Sequence, residues 1–183
     1  GVISCGELFA KAVARTEYHV FTYITYPAEM RGGFSMIQIR VQDWTIYSMG
    51  SKVDYLVVFD QRAYDRTIED LKEGGMIIYD PEHVKVDNNL KADLYPIPFT
   101  QISMEIAGVK LGKNIVALGA LGNLFKVKKK VLERLIIDRY EKKGDVITQN
   151  NFKLLNAGFE AGQKNKWSRK FHLSINGKTK TNY

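Results

Sequence analysis

Apolar residues recur along this chain with two different spacings, and the spacing changes from one segment to the next. Residues 4–16 place apolar side chains at helical intervals, whereas residues 34–41 alternate strictly between two faces, as a strand does. Continuous apolar runs at 54–60 and 76–79 are typical of buried strands in a parallel sheet. The remaining patterns predict strands at 18–24 and 92–96 and helices at 61–72, 100–108, 113–125, 128–140 and 146–163.

Strands that alternate with helices predict an α/β fold with three layers, α/β/α, around a mostly parallel sheet. We expect residues 34–47 to form one antiparallel hairpin, with residues 44–47 as its second strand, so that the sheet is mixed. Residues 1–163 then form a single domain. Residues 164–183 lose the apolar periodicity and gain charge, which predicts a basic tail or linker.

Local signals predict the ends of two helices. Ser4, with Glu7 three residues later, predicts a capping box at the start of the first helix. Gly74 and Gly75 predict the end of the helix at 61–72. Asp60 follows a buried apolar run, where it either meets a ribose or a cation or caps the next helix, and the cap is the favoured interpretation.

Composition excludes several classes of protein. Among the 183 residues, 45% are hydrophobic and 26% are charged, as in globular domains. The longest uncharged apolar stretch, residues 115–125, is far shorter than the roughly 20 residues of a membrane span. Cys5 is the only cysteine, so this sequence holds no disulfide framework and no cysteine-ligated zinc or iron–sulfur centre of its own. We therefore expect a cytoplasmic protein without a membrane partner.

The net charge of +7 is concentrated in the last third of the chain. Residues 1–125 carry 12 basic and 15 acidic residues, a balance of −3, whereas residues 126–183 carry 15 basic and 5 acidic residues, a balance of +10. A nucleic-acid-binding module is therefore one alternative. We disfavour it because the charge does not run through the whole fold, and a basic run such as 126–130 is more often a solvated helix face.

The loop at residues 26–33 is the most distinctive candidate site. An arginine beside two glycines can direct its guanidinium at an anion while the backbone approaches closely, and Glu29 stands where it can orient Arg31. The alternative is a turn with a surface ion pair.

No catalytic residue emerges from the residue pattern. The three histidines are scattered, and Cys5 has no partner residues of a nucleophilic site, so we interpret it as a packing residue. A stand-alone nucleotide-binding Rossmann-like domain is a second alternative, resting on Asp60 and the mixed sheet, although the sequence contains no P-loop and no complete GxGxxG motif.

Several segments in order resemble the gamma subunit, or gamma domain, of 2-oxoacid:ferredoxin oxidoreductases, the pyruvate, 2-oxoglutarate and ketoisovalerate group. The opening GVIS with GELFAKA is similar to that family's GVxS and GExLAKA, and YPAEMRGG at 26–33 resembles its YPxExRGG. VDYLV at 53–57 and GGMIIYD at 74–80 resemble two of its strands. NIVALGAL at 114–121 and NAGFE at 156–160 resemble its closing helices. The resemblance covers residues 1–162.

The family's pattern also contains a first strand and a Gly-rich turn immediately before the GVxS segment, of which only Gly1 stands in this sequence. The resemblance thus leads us to expect a strand ahead of Gly1. It leaves open whether the domain is a free gamma subunit or the N-terminal domain of a fused gamma–alpha chain. The tail beyond residue 163 has no counterpart in the resemblance.

The resemblance implies a reaction. Such complexes oxidatively decarboxylate a 2-oxoacid with coenzyme A, giving an acyl-CoA, CO2 and two electrons for ferredoxin. Thiamine diphosphate and [4Fe-4S] clusters belong to the partner alpha and beta parts, and the gamma part is a structural component with no catalytic residue or metal. The isolated chain is then inactive. The residues implied at the subunit interface or at the coenzyme A phosphates are Tyr26, Glu29, Arg31, Gly32, Gly33 and Asn114.

Overall fold

The computed structural model describes residues 1–26, 33–87 and 89–168. Within these ranges, most of the strands lie in the first half of the chain and four helices follow one another in the second half, and short 3₁₀ turns at 68–70, 110–112 and 141–143 join some of the elements. In chain order the elements are α1 (Val2–Ala14), β1 (His19–Thr25), β2 (Met36–Gln42), β3 (Val53–Val58), α2 (Gln61–Thr67), β4 (Leu71–Tyr79), β5 (Asp93–Pro96), α3 (Phe99–Ala107), α4 (Lys113–Leu124), α5 (Lys129–Tyr140) and α6 (Asp145–Lys164).

The strands form a parallel sheet and an antiparallel hairpin. In the parallel sheet the order is β3–β4–β5, and Leu56, Ile77 and Leu94 stand side by side. In the hairpin β1 pairs with β2, with Phe21 opposite Arg40. The predicted α/β class, with mainly parallel strands and one antiparallel hairpin, is confirmed. In the described residues the hairpin is a separate sheet and does not pair with the parallel one.

Helices cover both faces of the parallel sheet. On one face, Met76 and Ile78 of β4 join the large core formed with α1, α4 and α6. On the other face, Leu56 and Ile77 pack with Tyr64 of α2 in a second, smaller core. Alternate residues of one strand thus point to different cores, as expected for a sheet between two helical layers.

Helices α4 and α6 run side by side at very short distance. A Cβ atom on Gly119 would lie 2.2 Å from the carbonyl oxygen of Leu155, and one on Gly158 would lie 2.0 Å from that of Val116. Only glycine at both positions lets the two backbones approach so closely. This contact fixes the position of α4, whose first residues reach the candidate site.

The predicted hairpin partner is wrong. Strand β2 pairs over seven residues with β1, and residues 44–47 form no strand. The reason lies in the inner face of the hairpin, where Val20 and Ile39 pack against the core beside α1. Trp44 and Tyr47 bury no comparable surface, because their side chains are 62% and 90% exposed.

Two predicted helix ends are also wrong. Helix α1 begins at Val2, with Gly1 as its N-cap, so Ser4 and Glu7 lie inside the helix and form no capping box. Their side chains instead accept hydrogen bonds from Arg139 of α5, at 2.9 and 3.1 Å. Helix α2 ends at Thr67, well before the two glycines.

Gly74 and Gly75 lie inside β4. Gly74 has φ +70°, a value that favours glycine, and the pairing with β3 shifts register in this region. The glycines therefore accommodate an irregularity in a strand. Among the described residues, no helix combines the length and the apolar character needed to cross a bilayer. The predicted tail lies outside the described residues beyond residue 168.

Candidate functional site

A cleft of about 1280 Å³ separates the two sheets. Its side walls are β2 and β3, each of which is an outer strand of its own sheet in the described part of the chain. Cys5 and Phe9 of α1 and Phe125, after α4, form part of its apolar lining. The cleft therefore lies between two strand edges and over the large core.

Residues from several segments line the cleft near the end of β3, and we call this end the cleft mouth. It consists of Gly33, Phe34, Asp60, Arg62, Lys113 and Asn114, all of which line the cleft. Ligands of α/β proteins commonly bind outside the carboxyl ends of parallel strands, and the cleft mouth occupies that position.

Two cation–π contacts join the parts of the cleft mouth. Lys113 Nζ lies 5.4 Å from the centroid of the Phe59 ring, which connects α4 with the end of β3. The guanidinium of Arg66 lies 5.3 Å from the centroid of Phe34, which connects α2 with the residues before β2. Each contact thus joins two segments that are distant from each other in the chain.

The start of α4 makes the cleft mouth favourable for an anion. Gly112, its N-cap, offers no side-chain cap, and the first turn carries no acidic residue. The N-terminal end of a helix is partly positive, and Lys113 adds a full positive charge there. A Cβ at Gly112 would lie 2.6 Å from Ser103 Oγ and 2.7 Å from a methyl carbon of Leu154, so close packing selects glycine at this cap.

The structure brings together two of the predicted site residues. Gly33 and Asn114 both line the cleft mouth. Asn114 is buried, and its Nδ2 donates to the carbonyl of Leu111 at 3.1 Å, which fixes the turn before α4. Tyr26 lies just after β1, is 68% exposed and does not line the cleft. Glu29, Arg31 and Gly32 lie outside the described residues, so their predicted role stays a prediction.

Sequence reasoning missed Lys113 and Arg62 as candidates. Each stands next to a residue that the sequence analysis did single out, because Lys113 precedes Asn114 and Arg62 is two residues after Asp60. The available signal was the position after the carboxyl end of a buried strand. The pattern alone did not show that the start of α4 reaches the same end of the sheet.

The aspartates that end the two buried strands have structural roles. Asp60 Oδ1 accepts a hydrogen bond from the backbone N–H of Ala63 at 2.9 Å, so the interpretation as a helix cap is confirmed. Asp80 is fully buried, and its Oδ2 accepts from the backbone N–H and the hydroxyl of Thr100 at 2.9 and 2.7 Å. It ties the end of β4 to the start of α3.

Cys5 is a packing residue, as predicted. It is buried in the large core, and desolvation raises the pKa of its thiol to about 12, which opposes formation of the reactive thiolate. Within the described ranges no group of three or more histidine, cysteine or acidic side chains is placed to hold a metal ion.

Fold and site together define a class: a three-layer α/β domain whose cleft offers strand edges, an apolar wall and cationic groups. The family described as pyruvate ferredoxin/flavodoxin oxidoreductase matches residues 1–161. The chain belongs to this family. The family predicted from the sequence is confirmed, and so is the class of the chain as a component of 2-oxoacid oxidoreductase complexes.

Two relatives match this chain over most of their own length. The 2-oxoglutarate synthase subunit KorC of Methanocaldococcus jannaschii is 32% identical over 169 residues, which cover 90% of this chain and 89% of that protein. A gamma subunit of a keto/oxoacid ferredoxin oxidoreductase from Geobacter sulfurreducens superimposes with a TM-score of 0.72 at 25% identity, covering 88% of this chain and 91% of that one.

A longer relative contains the same fold as one part. The 2-oxoglutarate:ferredoxin oxidoreductase from Magnetococcus marinus, solved with 2-oxoglutarate, coenzyme A and succinyl-CoA bound, superimposes with a TM-score of 0.86 at 30% identity. The match covers 94% of this chain but only 31% of that one. This chain therefore spans about a third of the length of the Magnetococcus chain.

Proposed function

We propose that the chain is the gamma component of a 2-oxoacid:ferredoxin oxidoreductase. The complex would convert a 2-oxoacid and coenzyme A to an acyl-CoA and CO2 and pass two electrons to ferredoxin. The observation that carries this proposal is the family match over residues 1–161, together with a KorC relative that matches along most of its own length. The alpha and beta parts and ferredoxin are its partners.

The redox cofactors belong, in this proposal, to the partner parts. The described residues do not fit an iron–sulfur cluster, because the only cysteine is buried and its pKa is raised to about 12. Among the described residues, no cluster of metal-ligating side chains would hold the cation that accompanies the diphosphate of thiamine diphosphate. We also propose a cytoplasmic location, because a sequence with a single cysteine lacks the disulfide framework typical of small secreted domains.

Coenzyme A is a different case, because the cleft mouth fits an anionic group. We assign binding of the coenzyme A phosphates to Lys113 and the N-terminal end of α4. Asn114 would hold the turn from which Lys113 and α4 begin. Gly33 leaves room for a close approach of the ligand to the backbone. The chain would thus bind and orient coenzyme A, while the reacting groups lie in the partner parts.

A charge deletion at the cleft mouth tests this assignment. In the reconstituted complex, Lys113→Ala should raise the KM for coenzyme A by about 10- to 100-fold, because a charge-assisted hydrogen bond contributes about 1.5–3 kcal/mol, and should leave kcat largely unchanged. Lys110→Ala is the matched control, since Lys110 is an exposed lysine of the preceding 3₁₀ turn that does not line the cleft. Equal KM values for the two variants would refute the role of Lys113. An inactive reconstituted wild-type complex would instead refute the proposed function.

We also propose that a strand ahead of Gly1 belongs in the cleft, between β2 and β3. Two outer strands face the cleft, and Gly1, at the start of α1, lines it as well. Such a strand would run parallel to β3, join the two sheets and leave the cleft mouth open beyond its carboxyl end. Hydrogen exchange on the product of the complete gene checks this. Slow exchange at residues 36–42 and 53–58 supports it, and fast exchange at both would count against it.

A further inference from the structure

Five aromatic side chains stand exposed on the hairpin and the segments next to it. Phe21 and Tyr23 of β1 are 41% and 54% exposed, Tyr26 follows at 68%, and Trp44 and Tyr47 after β2 reach 62% and 90%. Single exposed apolar residues are ordinary, but five exposed aromatic residues on neighbouring segments favour a surface that another molecule covers. We call it the aromatic face.

The hairpin geometry places part of this cluster on one surface. Phe21 stands opposite Arg40 and Tyr23 opposite Gln38, so these four side chains share the outer face of the hairpin. The inner face is already used, because Val20 and Ile39 pack into the large core. The outer face has no helix over it in the described residues, unlike the parallel sheet, which has helices on both sides.

Arg40 connects the outer face with the segment that carries Trp44 and Tyr47. Its Nη1 donates to the carbonyl of Ser48 at 2.6 Å, which holds residues 43–48 beside β2. The guanidinium is therefore fixed in position, although no carboxylate among the described residues pairs with it. A pre-positioned arginine loses little conformational freedom when a partner binds.

The residue types point to a protein partner. Tyrosine, tryptophan and arginine are the side chains that most often dominate the binding energy of protein interfaces. The outer face of the hairpin, residues 19–25 and 36–42, contains no acidic residue. A complementary surface would be apolar and would offer a carboxylate to Arg40.

We propose that the aromatic face is where the catalytic part of the same oxidoreductase docks, with an apolar surface that includes a carboxylate opposite Arg40. The identity of this partner is suggested by two relatives of different length. The match to this domain covers 91% of the Geobacter gamma subunit but only 31% of the Magnetococcus chain. The remainder of the longer chain and the separate partner subunits of the shorter one would both need a docking surface on this domain. This inference rests on the proposed function and adds the location of the contact.

The experiment compares two variants of the full chain, coexpressed with its partner subunits. Tyr23→Ser combined with Trp44→Ser should weaken assembly at least about 100-fold in Kd, as expected when two residues at the centre of an interface are lost. Val146→Ser is the control, because Val146 is an equally accessible apolar residue, 74% exposed, at the start of α6. Both variants should keep the wild-type melting temperature, since they change only exposed side chains.

A photo-crosslinking amino acid in place of Tyr47 identifies the occupant. Crosslinks to the catalytic subunits support the proposal. Crosslinks to a second copy of this chain, or equal assembly of the double variant and the Val146→Ser control, would overturn it and leave the proposed function intact. If the wild-type chain itself fails to assemble with the catalytic subunits, the proposed function fails as well.

Discussion

Replacing Gly158 with alanine tests how α4 and α6 are held together. A Cβ atom at this position would lie 2.0 Å from the carbonyl oxygen of Val116 and 3.0 Å from the Cα of Gly119. Both atoms belong to the backbone of α4, so no side-chain rotation relieves the overlap. The two helices have to separate, and the start of α4 moves with them.

The magnitude follows from three quantities. Carbon–oxygen contacts between backbones are ordinarily about 3.3–3.6 Å, against 2.0 Å here, so the Cβ atom and the carbonyl oxygen must move apart by about 1.3–1.6 Å. Overpacking typically costs about 1–3 kcal/mol, and this case belongs at the upper end because the obstacle is backbone. Alanine recovers about 1 kcal/mol of helix propensity relative to glycine. The net loss is about 2 kcal/mol, which lowers the melting temperature by about 4–8 °C for a chain of this size.

Thermal unfolding of the purified chain, followed by circular dichroism, measures this difference. Gly122→Ala is the matched control on the same helix pair. Its Cβ would meet side-chain atoms, those of Phe159 at 2.6 Å and Leu132 at 2.8 Å, which can rotate away. We expect Gly122→Ala to lose less stability than Gly158→Ala. A melting temperature of Gly158→Ala at or above that of the wild type would refute the reasoning.

Three further predictions concern single side chains. Arg31→Ala should weaken assembly or raise the KM for coenzyme A without changing the melting temperature; unchanged assembly and kinetics would contradict the anion-contact role. Asp80→Ala should lower the free energy of unfolding by about 2–4 kcal/mol in urea titrations, because it leaves the buried N–H and hydroxyl of Thr100 without their acceptor. Cys5 should resist alkylation in the folded chain at pH 8 and react quickly in urea. The pKa of this thiol rises from 9.0 to about 12 on folding, so the unfolded chain loses the thiol proton at lower pH than the folded chain does. The free energy of unfolding should therefore fall as pH increases from 9.0 toward 12. A Cys5→Ala variant, which lacks the thiol, should not show this fall.

Local periodicity predicted the elements well where an apolar pattern runs without interruption through one segment. The helix expected at 113–125 is α4, Lys113–Leu124, and the last helix extends over Asp145–Lys164 against an expected 146–163. The buried strands β3 and β4 were found because central strands of a parallel sheet are apolar on both faces. In such segments the local sequence alone is enough to predict whether the element is a helix or a strand.

Pairing and helix ends depended on residues far away in the chain. Strand β2 could pair with either neighbour by its own pattern, and the choice of β1 follows from burial of Val20 and Ile39 against the core. Gly74 ends no helix because the chain enters β4 before reaching it. Ser4 was a plausible cap, but its hydroxyl accepts from Arg139, which lies 135 residues away.

The candidate site was predictable only in part for the same reason. Asn114 was named through a family resemblance, and Gly33 through the chemistry of its loop and the same resemblance; both line the cleft mouth. Lys113 and Arg62 belong to no motif of their own. Their relevance arises from the end of the sheet at which α2 and α4 begin, which is a property of topology and not of local sequence.

The hairpin of β1 and β2 is the part of the domain that depends most on contacts from outside. A two-stranded hairpin is only marginally stable by itself, and this one is fixed to the core through a single face. Its free edge lines the cleft, and its outer face carries exposed aromatic residues, so it has two surfaces that still lack a neighbour in the described chain. Gly33 and Phe34 stand just before β2 and belong to the cleft mouth, so whatever covers the aromatic face also acts on a strand that leads directly into the cleft mouth. Assembly and coenzyme A binding are therefore expected to be coupled through this one hairpin, and the Tyr23→Ser and Trp44→Ser double variant should raise the KM for coenzyme A in whatever complex still forms.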